Sequence, residues 1–351
     1  MTEQTWPDLI TQLIEGHDLS LEQAEWAMDQ VMAGQTQPTV LAGFLVALRA
    51  KGEVVPEIRG FAASMLAHAV PVQVPGACLD LVGTGGDRHH SVNISTMAAL
   101  VVAGTGRSVV KHGNRAASSS SGSADVLEAL GVRLDLPPER AGEVLQEAGI
   151  TFLFATLFHP SFRHAATARR DLGIPTAFNV LGPLTNPARP RAGAIGVGNR
   201  AMAPIMAGVI SDRGDRALVF RSEDGLDELA PTAAAQIWEV SDLTGGKVVP
   251  QRLDPVAELG LAPATLADLR GADASFNATV AREVLSGRGG AVRDAVVLNA
   301  AAALVADGYL PGTDEGDLVD RLHSGMQWAA AAIDDGRAAT VLEKWVAVTS
   351  S

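Results

Sequence analysis

The sequence is poor in cysteine, in aromatic residues and in positive charge. Cys78 is the single cysteine among 351 residues, and aromatic residues make up 4% of the chain. One cysteine cannot form an internal disulfide, which is typical of a reducing, cytoplasmic setting. The 27 Lys and Arg residues against 40 Asp and Glu residues give a formal charge of −13. This balance argues against nucleic acid or an anionic membrane as a partner.

Long apolar runs are also missing from the sequence. No stretch approaches the roughly 18 consecutive apolar residues that a membrane-spanning helix needs. Residues 1–7 lack the basic region and the apolar core of a signal peptide. We therefore expect a soluble protein of the cytoplasm.

Hydrophobic residues make up 47% of the chain, which is enough for a full core, and the length suits two domains. Up to about Val70 the pattern predicts helices only, with a capping box at residues 20–23 and helices after Pro38 and Pro56. From Leu79 onward, short apolar runs alternate with helical segments, which predicts an α/β fold with a mostly parallel sheet. The expected strands are 132–134, 150–155, 193–197, 216–220 and 236–240, and the expected helices are 123–130, 138–148, 202–210 and 281–285.

The most informative segment is residues 81–87, which read LVGTGGD. A strand leading into a glycine-rich turn brings backbone N–H groups close to an anion. The helix expected to begin after Asn93 or Ser95 also attracts negative charge at its N-terminus. The glycine spacing matches neither a dinucleotide fingerprint nor a Walker loop. A second strand ends on Lys111 and is followed by Arg115, so the two loops together suit a polyphosphate.

An acidic segment, residues 223–228, reads EDGLDE and follows the strand predicted to end at Phe220. Adjacent carboxylates repel one another unless a cation bridges them, and Mg²⁺ binds one or two carboxylates together with substrate phosphates. A solvated acidic turn is the alternative. Beside a loop suited to pyrophosphate, a Mg²⁺ site is the favoured interpretation.

Residues 159–171 carry Arg163, Arg169 and Arg170 in a helical context. The planar guanidinium group matches a carboxylate through two parallel hydrogen bonds, although each arginine could also be an ordinary surface residue. His112 and His159 are possible acid–base groups, but a lone histidine is more often structural. The sequence assigns no certain catalytic residue.

Together these motifs resemble the anthranilate phosphoribosyltransferase family of tryptophan biosynthesis. The resemblance covers residues 83–87, 93–96, 111–115, 118–130, 163–170, 178–190, 224–229 and 299–304. It implies a fold of the nucleoside phosphorylase/phosphoribosyltransferase type. A small helical domain at residues 1–72, joined by helices near 160–185, would precede a large α/β domain at residues 73–351 with a mostly parallel central sheet. The family usually forms homodimers.

The resemblance also implies the reaction and its residues. The phosphoribosyl group of 5-phosphoribosyl 1-pyrophosphate (PRPP) would pass to the amine of anthranilate, giving N-(5-phosphoribosyl)anthranilate and pyrophosphate. The residues implied for PRPP are Gly83, Gly86, Asp87, Ser91, Asn93, Ile94, Ser95, Thr96, Lys111, His112, Gly113, Asn114, Arg115, Ala116, Ala117, Ser118, Ser119 and Ser123. Those implied for anthranilate are Gly83, Asn114 and Arg169. Ser95, Asp227 and Glu228 would be the Mg²⁺ ligands.

The chain departs from the family pattern at a few positions. Arg88 and His90 stand where the family usually has Gly and Asn, and Thr156 and Leu157 replace a common Pro and basic residue near the anthranilate entrance. Three alternatives remain open from the sequence: a transferase for a substituted anthranilate, a pyrimidine-nucleoside phosphorylase, and a non-catalytic relative that keeps the scaffold.

Overall fold

The computed structural model describes residues 4–115 and 121–351. Its first part contains four helices: α1 (Trp6–Ile14), α2 (Leu21–Met32), α3 (Pro38–Lys51) and α4 (Val55–Ala67). The predicted capping box is present, because Ser20 Oγ accepts a hydrogen bond from the Gln23 backbone N–H at 3.2 Å and Gln23 Oε1 accepts one from the Ser20 backbone N–H at 2.8 Å. The sequence analysis missed α1.

The second part is built on a sheet. The strands are β1 (Leu79–Gly83), β2 (Val109–Gly113), β3 (Ile150–Phe154), β4 (Ala192–Gly196), β5 (Arg216–Ser222), β6 (Ala235–Val240) and β7 (Val249–Leu253). Their order in the described residues is β3-β2-β1-β4-β5-β6-β7. The first five strands of this order run parallel, and β6 and β7 are antiparallel additions at one edge. The prediction of a mostly parallel sheet in an α/β fold is therefore confirmed.

Helices cover the sheet. They are α5 (Ile94–Gly104), α6 (Ser123–Leu130), α7 (Arg140–Ala148), α8 (Ala155–Phe158), α9 (Arg163–Leu172), α10 (Phe178–Leu181), α11 (Met202–Arg213), α12 (Ala274–Leu285), α13 (Ala291–Asp307), α14 (Leu318–Asp334) and α15 (Arg337–Ser350). Helices α5 and α13 are buried on nearly all sides and pack against each other. A helix that is apolar all round belongs in the middle of a core.

One predicted strand is wrong. Residues 132–134 form no strand but an extended connection after α6. The Val132 backbone N–H donates to the Leu127 carbonyl at 2.9 Å, and the Arg133 backbone N–H donates to Thr349 Oγ1 of α15 at 3.2 Å. Val132 and Leu134 are buried there, so their alternating apolar pattern reflects packing under α15 and not sheet pairing.

Two apolar cores lie on opposite faces of the sheet. One contains α5, α13 and the helices that surround them. The other joins α1–α4 with α9–α11 and with one face of β4 and β5. Helix α9 packs against α2 and α3, so the helices near residues 160–185 lie with the amino-terminal helices. None of the helices within the described ranges is long and apolar enough to cross a bilayer.

Candidate active site

The glycine-rich loop leaves the carboxyl end of β1 and is held by the acidic segment that follows β5. The Gly85 backbone N–H donates to Oδ2 of Asp227 at 2.7 Å. A Cβ atom at Gly83 would lie 2.5 Å from the same oxygen, and a Cβ at Gly196 of β4 would collide with the Asp227 carbonyl oxygen. Glycine is required at both positions, because a side chain would displace Asp227.

Asp227 and Glu228 are both buried, and Asp87 of the glycine-rich loop lies beside them. Burial, together with the charge of Asp87, raises the pKa of Asp227 to about 7. Burial and the charge of Asp227 raise the pKa of Glu228 well above its usual value. Both shifts have the same physical cause, which is the cost of holding neighbouring negative charges away from water.

Lys111 of β2 supplies a buried positive charge to this group. Its Nζ donates to the Leu81 carbonyl at 2.5 Å and to Ser95 Oγ at 3.2 Å. Burial lowers the pKa of Lys111, against the opposing influence of the Asp80 and Glu228 charges. Glu228 in turn accepts a hydrogen bond from the Ser95 backbone N–H. The predicted PRPP and metal residues Lys111, Ser95 and Glu228 therefore lie together.

The donor set fits a divalent cation. Asp87, Asp227 and Glu228 carry more negative charge than Lys111 can balance, and Oδ2 of Asp87 is buried with no hydrogen-bond donor among the described residues. Among residues 4–115 and 121–351, no group of three or more His, Cys, Asp and Glu side chains is placed to hold a metal ion by itself. Because Mg²⁺ usually takes part of its coordination from substrate phosphates and water, these carboxylates suit a cation that binds with its substrate.

Asn93 fixes the start of α5, whose N-terminus faces this cluster through the Ser95 N–H. The Asn93 side chain donates to the Ser121 carbonyl at 3.3 Å and accepts from Asn277 Nδ2 at 2.8 Å. These bonds tie α5 to α12 and to the end of the second loop. The Ile94 N–H donates to the Val92 carbonyl at 2.7 Å and the Thr96 N–H to the Asn93 carbonyl at 3.1 Å, so this helix end favours an anion through its dipole and not through free N–H groups.

The other predicted PRPP residues of the first loop differ in exposure. Ser91 forms an isolated bridge with Arg270, and Gly86 is exposed. Ile94 is fully buried in the core, so only its backbone is placed to meet a ligand. Thr96 is buried, and its hydroxyl has no hydrogen-bond partner in the part of the chain that the structure describes.

Asn114 follows β2 and links the second loop to α8. Its Oδ1 accepts from the Arg115 backbone N–H at 2.8 Å and from the Thr156 hydroxyl at 3.4 Å. Ser123, the first residue of α6, donates to the Asn114 carbonyl at 3.3 Å, and it also lies against Gly113. Gly113, Asn114 and Ser123 are therefore neighbours, as a shared loop requires.

Arg115 points to carboxylates of its own chain. Its guanidinium group binds Asp125 at 3.2 Å and Glu128 at 2.5 Å, both on α6. A phosphate would have to compete with these two acids for the Arg115 side chain. Four further residues of the predicted PRPP set lie outside the described residues: Ala116, Ala117, Ser118 and Ser119.

His112 is buried and neutral. Its Nδ1 lies 3.1 Å from the Gly182 carbonyl, so Nδ1 carries the proton, and its Nε2 is buried without a partner among the described residues. Burial lowers the pKa of His112 to about 3, and the neighbouring His159 ring, 5.1 Å away between centroids, adds to this effect. A histidine so hard to protonate is better suited to positioning than to accepting a proton at neutral pH.

Arg169 of α9 is held by two aromatic rings. Its guanidinium carbon lies 4.7 Å from the centroid of Phe162 and 5.4 Å from that of Phe178. Its side chain makes no hydrogen bond or ion pair within residues 4–115 and 121–351, and burial lowers its pKa. Arg163 and Arg170 are exposed, and Arg170 pairs with Asp171 at 3.1 Å. Arg169 is thus oriented and available to bind a carboxylate.

The glycine-rich loop faces the helical region across a cavity of about 170 Å³. Thr84, Gly85 and Gly86 form one side, and residues of α3, α10 and the start of α11 form the other. Phe178, one of the two rings beside Arg169, lies between Ala177 and Asn179, which line this cavity. The glycine-rich loop therefore borders a cleft between the sheet and the helical region, and one of the rings that hold Arg169 adjoins its helical side.

Several residues in or beneath this site were not predicted from the sequence. Asp80 of β1 is fully buried, accepts hydrogen bonds from Asn186 Nδ2 at 2.8 Å and from the His112 N–H at 3.4 Å, and has its pKa raised by burial to about 6. Its position as a charged residue inside an apolar strand was the feature of the sequence that could have identified it. The contribution of Asp87 to the acidic group and the role of Phe162 under Arg169 depend on residues far apart in the chain.

The chain matches two family models. Residues 7–69 match the helical bundle domain of a glycosyl transferase family, and residues 76–339 match the α/β domain of the same family. Among curated relatives, the anthranilate phosphoribosyltransferase of Arthrobacter sp. (strain FB24) is 60% identical, over 98% of this chain and 96% of the relative. That of Streptomyces griseus is 55% identical, over 99% and 96%.

Solved structures agree with these relatives. The anthranilate phosphoribosyltransferase of Thermus thermophilus superposes with a TM-score of 0.89 at 43% identity, covering 98% of this chain and 100% of that one. The Saccharomyces cerevisiae enzyme in complex with PRPP and Mg gives a TM-score of 0.86 at 27% identity, covering 99% of each chain. The chain therefore belongs to the anthranilate phosphoribosyltransferase family.

Proposed function

We propose that the cleft transfers the phosphoribosyl group of PRPP to the amine of anthranilate and releases pyrophosphate, a step of tryptophan biosynthesis. The observation that carries this function is the convergence of the glycine-rich loop, Lys111 and the buried acidic pair at one edge of the sheet. Phe178, a ring that supports Arg169, adjoins the helical side of the same cleft, and Arg169 would supply the complement for the anthranilate carboxylate. The relatives are named for this transfer, which supports the proposal.

The residues act in three groups. The backbone N–H groups of the glycine-rich loop bind the phosphates of PRPP, assisted by Lys111 and by the positive end of the α5 dipole. Asp227 and Glu228, with Ser95, would hold Mg²⁺, which when bound stabilises negative charge on pyrophosphate. Asn114 and Arg169 orient anthranilate, and Gly83 lies where the two substrates meet.

Catalysis in this proposal depends on positioning and electrostatics. The aryl amine of anthranilate is neutral at pH 7 and needs little activation, whereas the C1–O bond to pyrophosphate must break. The loop N–H groups and Lys111 stabilise the departing pyrophosphate, and the amine attacks ribose C1 with inversion. His112 keeps the wall of the cleft in place through Gly182 and stays neutral throughout.

The assembly and location are part of the same proposal. A homodimer formed through the helical region is supported by large apolar side chains that remain exposed there: Ile14 at the end of α1, Val46 on α3 and Ile174 after α9, with exposures of 72%, 44% and 47%. The free, buried Cys78 agrees with a cytoplasmic location. Sedimentation analysis tests the dimer, because a monomer at micromolar concentration would contradict it.

A fluorescence assay of anthranilate consumption tests the reaction. We expect consumption that requires both PRPP and Mg²⁺. Substituted anthranilates, tested in parallel, decide whether anthranilate itself is the preferred acceptor. Phosphate-dependent cleavage of a pyrimidine nucleoside, without anthranilate consumption, would instead identify a nucleoside phosphorylase. Absence of both activities in the folded chain would identify a non-catalytic relative.

A further inference from the structure

A second cavity, of about 570 Å³, lies on the other side of the segment that contacts His112. Its floor is one face of the sheet, formed by Asp80 and Val82 of β1, Gly193 and Ile195 of β4, and Ala217 of β5. The strand register pairs Asp80 with Gly193 and Gly193 with Ala217, so these residues point the same way. The cavity sits toward the amino ends of the strands, whereas the proposed active site lies at their carboxyl ends.

Five arginines line this cavity in a chain whose net charge is −13: Arg59, Arg189, Arg191, Arg213 and Arg216. Two of them are neutralised, Arg59 by Asp212 at 3.3 Å and Arg216 by Asp242 at 3.3 Å. Within residues 4–115 and 121–351, the other three form no ion pair. Three of the five arginines that line the cavity are therefore outside salt bridges.

Three further carboxylates line the same cavity. Asp80 is bonded to Asn186 in the floor, and Glu25 lies on α2. The third, Asp215, interacts electrostatically with Arg191 and Arg213, but it forms a salt bridge with neither within the described ranges. Burial raises the pKa of Asp215, and the charges of Arg213 and Arg191 oppose this shift.

Arg213 lies at the centre of this arrangement. Its Nη1 donates to the Leu184 carbonyl at 2.7 Å, whereas its Nη2 is buried and has no acceptor in the described part of the chain. Burial lowers the pKa of Arg213; the charge of Asp215 opposes this shift, and the like charges of Arg59 and Arg189 add to it. A buried guanidinium N–H without an acceptor is unfavourable, and a bound anion would supply that acceptor.

The backbone at Arg189 adds an independent observation. Arg189 has a φ of +51°, in the left-handed region that residues other than glycine rarely occupy. Such strain concentrates at binding sites, where the surrounding structure holds a side chain in a particular direction. Proline residues on both sides, Pro187 and Pro190, restrict this segment further.

We propose that Arg189, Arg191 and Arg213 form a binding site for a compact phosphate group, separate from the active site. Three guanidinium groups offer several N–H donors in planar forks, which match the oxygens of a tetrahedral dianion. Inorganic phosphate and the phosphate of a small sugar share this chemistry, and both are small enough for the cavity.

Isothermal titration of the full chain with inorganic phosphate tests this site. We expect Arg189→Gln/Arg191→Gln to raise the phosphate Kd at least tenfold. The matched control, Arg170→Gln/Arg288→Gln, removes the same charge from two exposed arginines elsewhere and should leave the Kd unchanged. Equal phosphate affinity in the two double variants would overturn the proposal. A parallel titration with ribose 5-phosphate distinguishes the two possible ligands. If ribose 5-phosphate binds the unmodified chain more tightly than inorganic phosphate does, and Arg189→Gln/Arg191→Gln loses this binding, the ligand is a phosphorylated sugar.

A crystal of the unmodified chain soaked in selenate provides a test that needs no variant. Selenate has the shape and charge of the phosphate dianion, and its anomalous signal locates it directly. We expect a peak within hydrogen-bonding distance of Arg213. A peak at the glycine-rich loop alone, or no peak in the cavity, would show that the arginines do not form an anion site.

Discussion

Gly85 and Asp227, which are 142 residues apart in the chain, are joined by a hydrogen bond of 2.7 Å from the Gly85 N–H to the Asp227 carboxylate. This contact ties the glycine-rich loop to the acidic pair, so a phosphate on the loop lies next to the carboxylates. A side chain at Gly83 would displace this Asp227 oxygen and so break its hydrogen bond to the loop. Loop and acidic pair therefore work as one unit.

The first prediction concerns the acidic pair. Asp227→Asn with Glu228→Gln keeps the shape of both side chains but removes their charge. We expect Mg²⁺-dependent kcat to fall roughly 100-fold or more, because electrostatic stabilisation of the leaving group is lost. The control is Glu223→Gln, which removes an exposed carboxylate of the same segment that pairs with Arg252. Unchanged kcat in the double variant would remove the metal assignment.

The second prediction concerns Arg169. Arg169→Ala should raise the KM for anthranilate roughly 10- to 100-fold, since a hydrogen-bonded charged group contributes about 1.5–3 kcal/mol. The KM for PRPP should change much less. Arg170→Ala is the matched control, because Arg170 is the exposed neighbour on α9. A larger effect on PRPP than on anthranilate would show that Arg169 does not bind the anthranilate carboxylate.

The third prediction concerns pH. Because burial and Asp87 raise the pKa of Asp227 to about 7 in the folded chain, the folded state holds a proton that the unfolded state has already lost above about pH 4 to 5. The stability from this group is therefore complete below about pH 4 and is lost as the pH rises through about 7. We compare the free energy of unfolding of Asp227→Asn with that of the unmodified chain in the absence of Mg²⁺. The difference in favour of the variant should grow by on the order of 2 kcal/mol as the pH rises from about 5 to about 7.5.

Urea unfolding at the two pH values measures this difference. The unmodified chain with Mg²⁺ provides the comparison, since cation binding to ionised carboxylates should stabilise it more at about pH 7.5 than at about pH 5. A stability difference between the two chains that is independent of pH would contradict the pKa assignment.

The fourth prediction concerns the strained loop. Arg88 and His90 have φ values of +64° and +54°. The resemblance described above implies Gly and Asn at these two positions in the family. A residue other than glycine loses roughly 1–2 kcal/mol in this conformation, whereas Asn tolerates it better. His90→Asn should therefore raise the free energy of unfolding by about 1 kcal/mol, as measured by urea unfolding. The control His17→Asn changes an exposed histidine outside the left-handed region and should have no effect. An equal response of the two variants would show that His90 is not strained.

The sequence predicts those parts of the fold whose signals are local. Helix α6 begins at Ser123 and ends before Gly131, as expected, because the terminal glycine adopts a left-handed conformation. The strands at the centre of the sheet are short apolar runs bounded by turns, so their positions are predicted to within one or two residues. Strand β7, with mostly exposed residues at the sheet edge, carries no such pattern and was missed.

Contacts with residues elsewhere in the chain could not be predicted from the sequence. Residues 132–134 alternate like a strand, but their partner is Thr349 of α15. Arg115 has the charge expected of a phosphate ligand, yet Asp125 and Glu128 hold it. The loops of the candidate site could be located from the sequence, because they are glycine-rich and adjacent to strand ends, which is where ligands bind in parallel α/β sheets. Whether their residues bind the substrates remains a prediction.

The long separation between the glycine-rich loop and Asp227 has a consequence for synthesis on the ribosome. A nascent chain that ends before residue 227 has the loop, Lys111 and α5, but it lacks the carboxylates that fix the loop's position. Under the proposed assignment, such a fragment has the elements for binding phosphate without those for holding the cation. Activity would then arise only once the second half of the protein has been translated and folded onto the first.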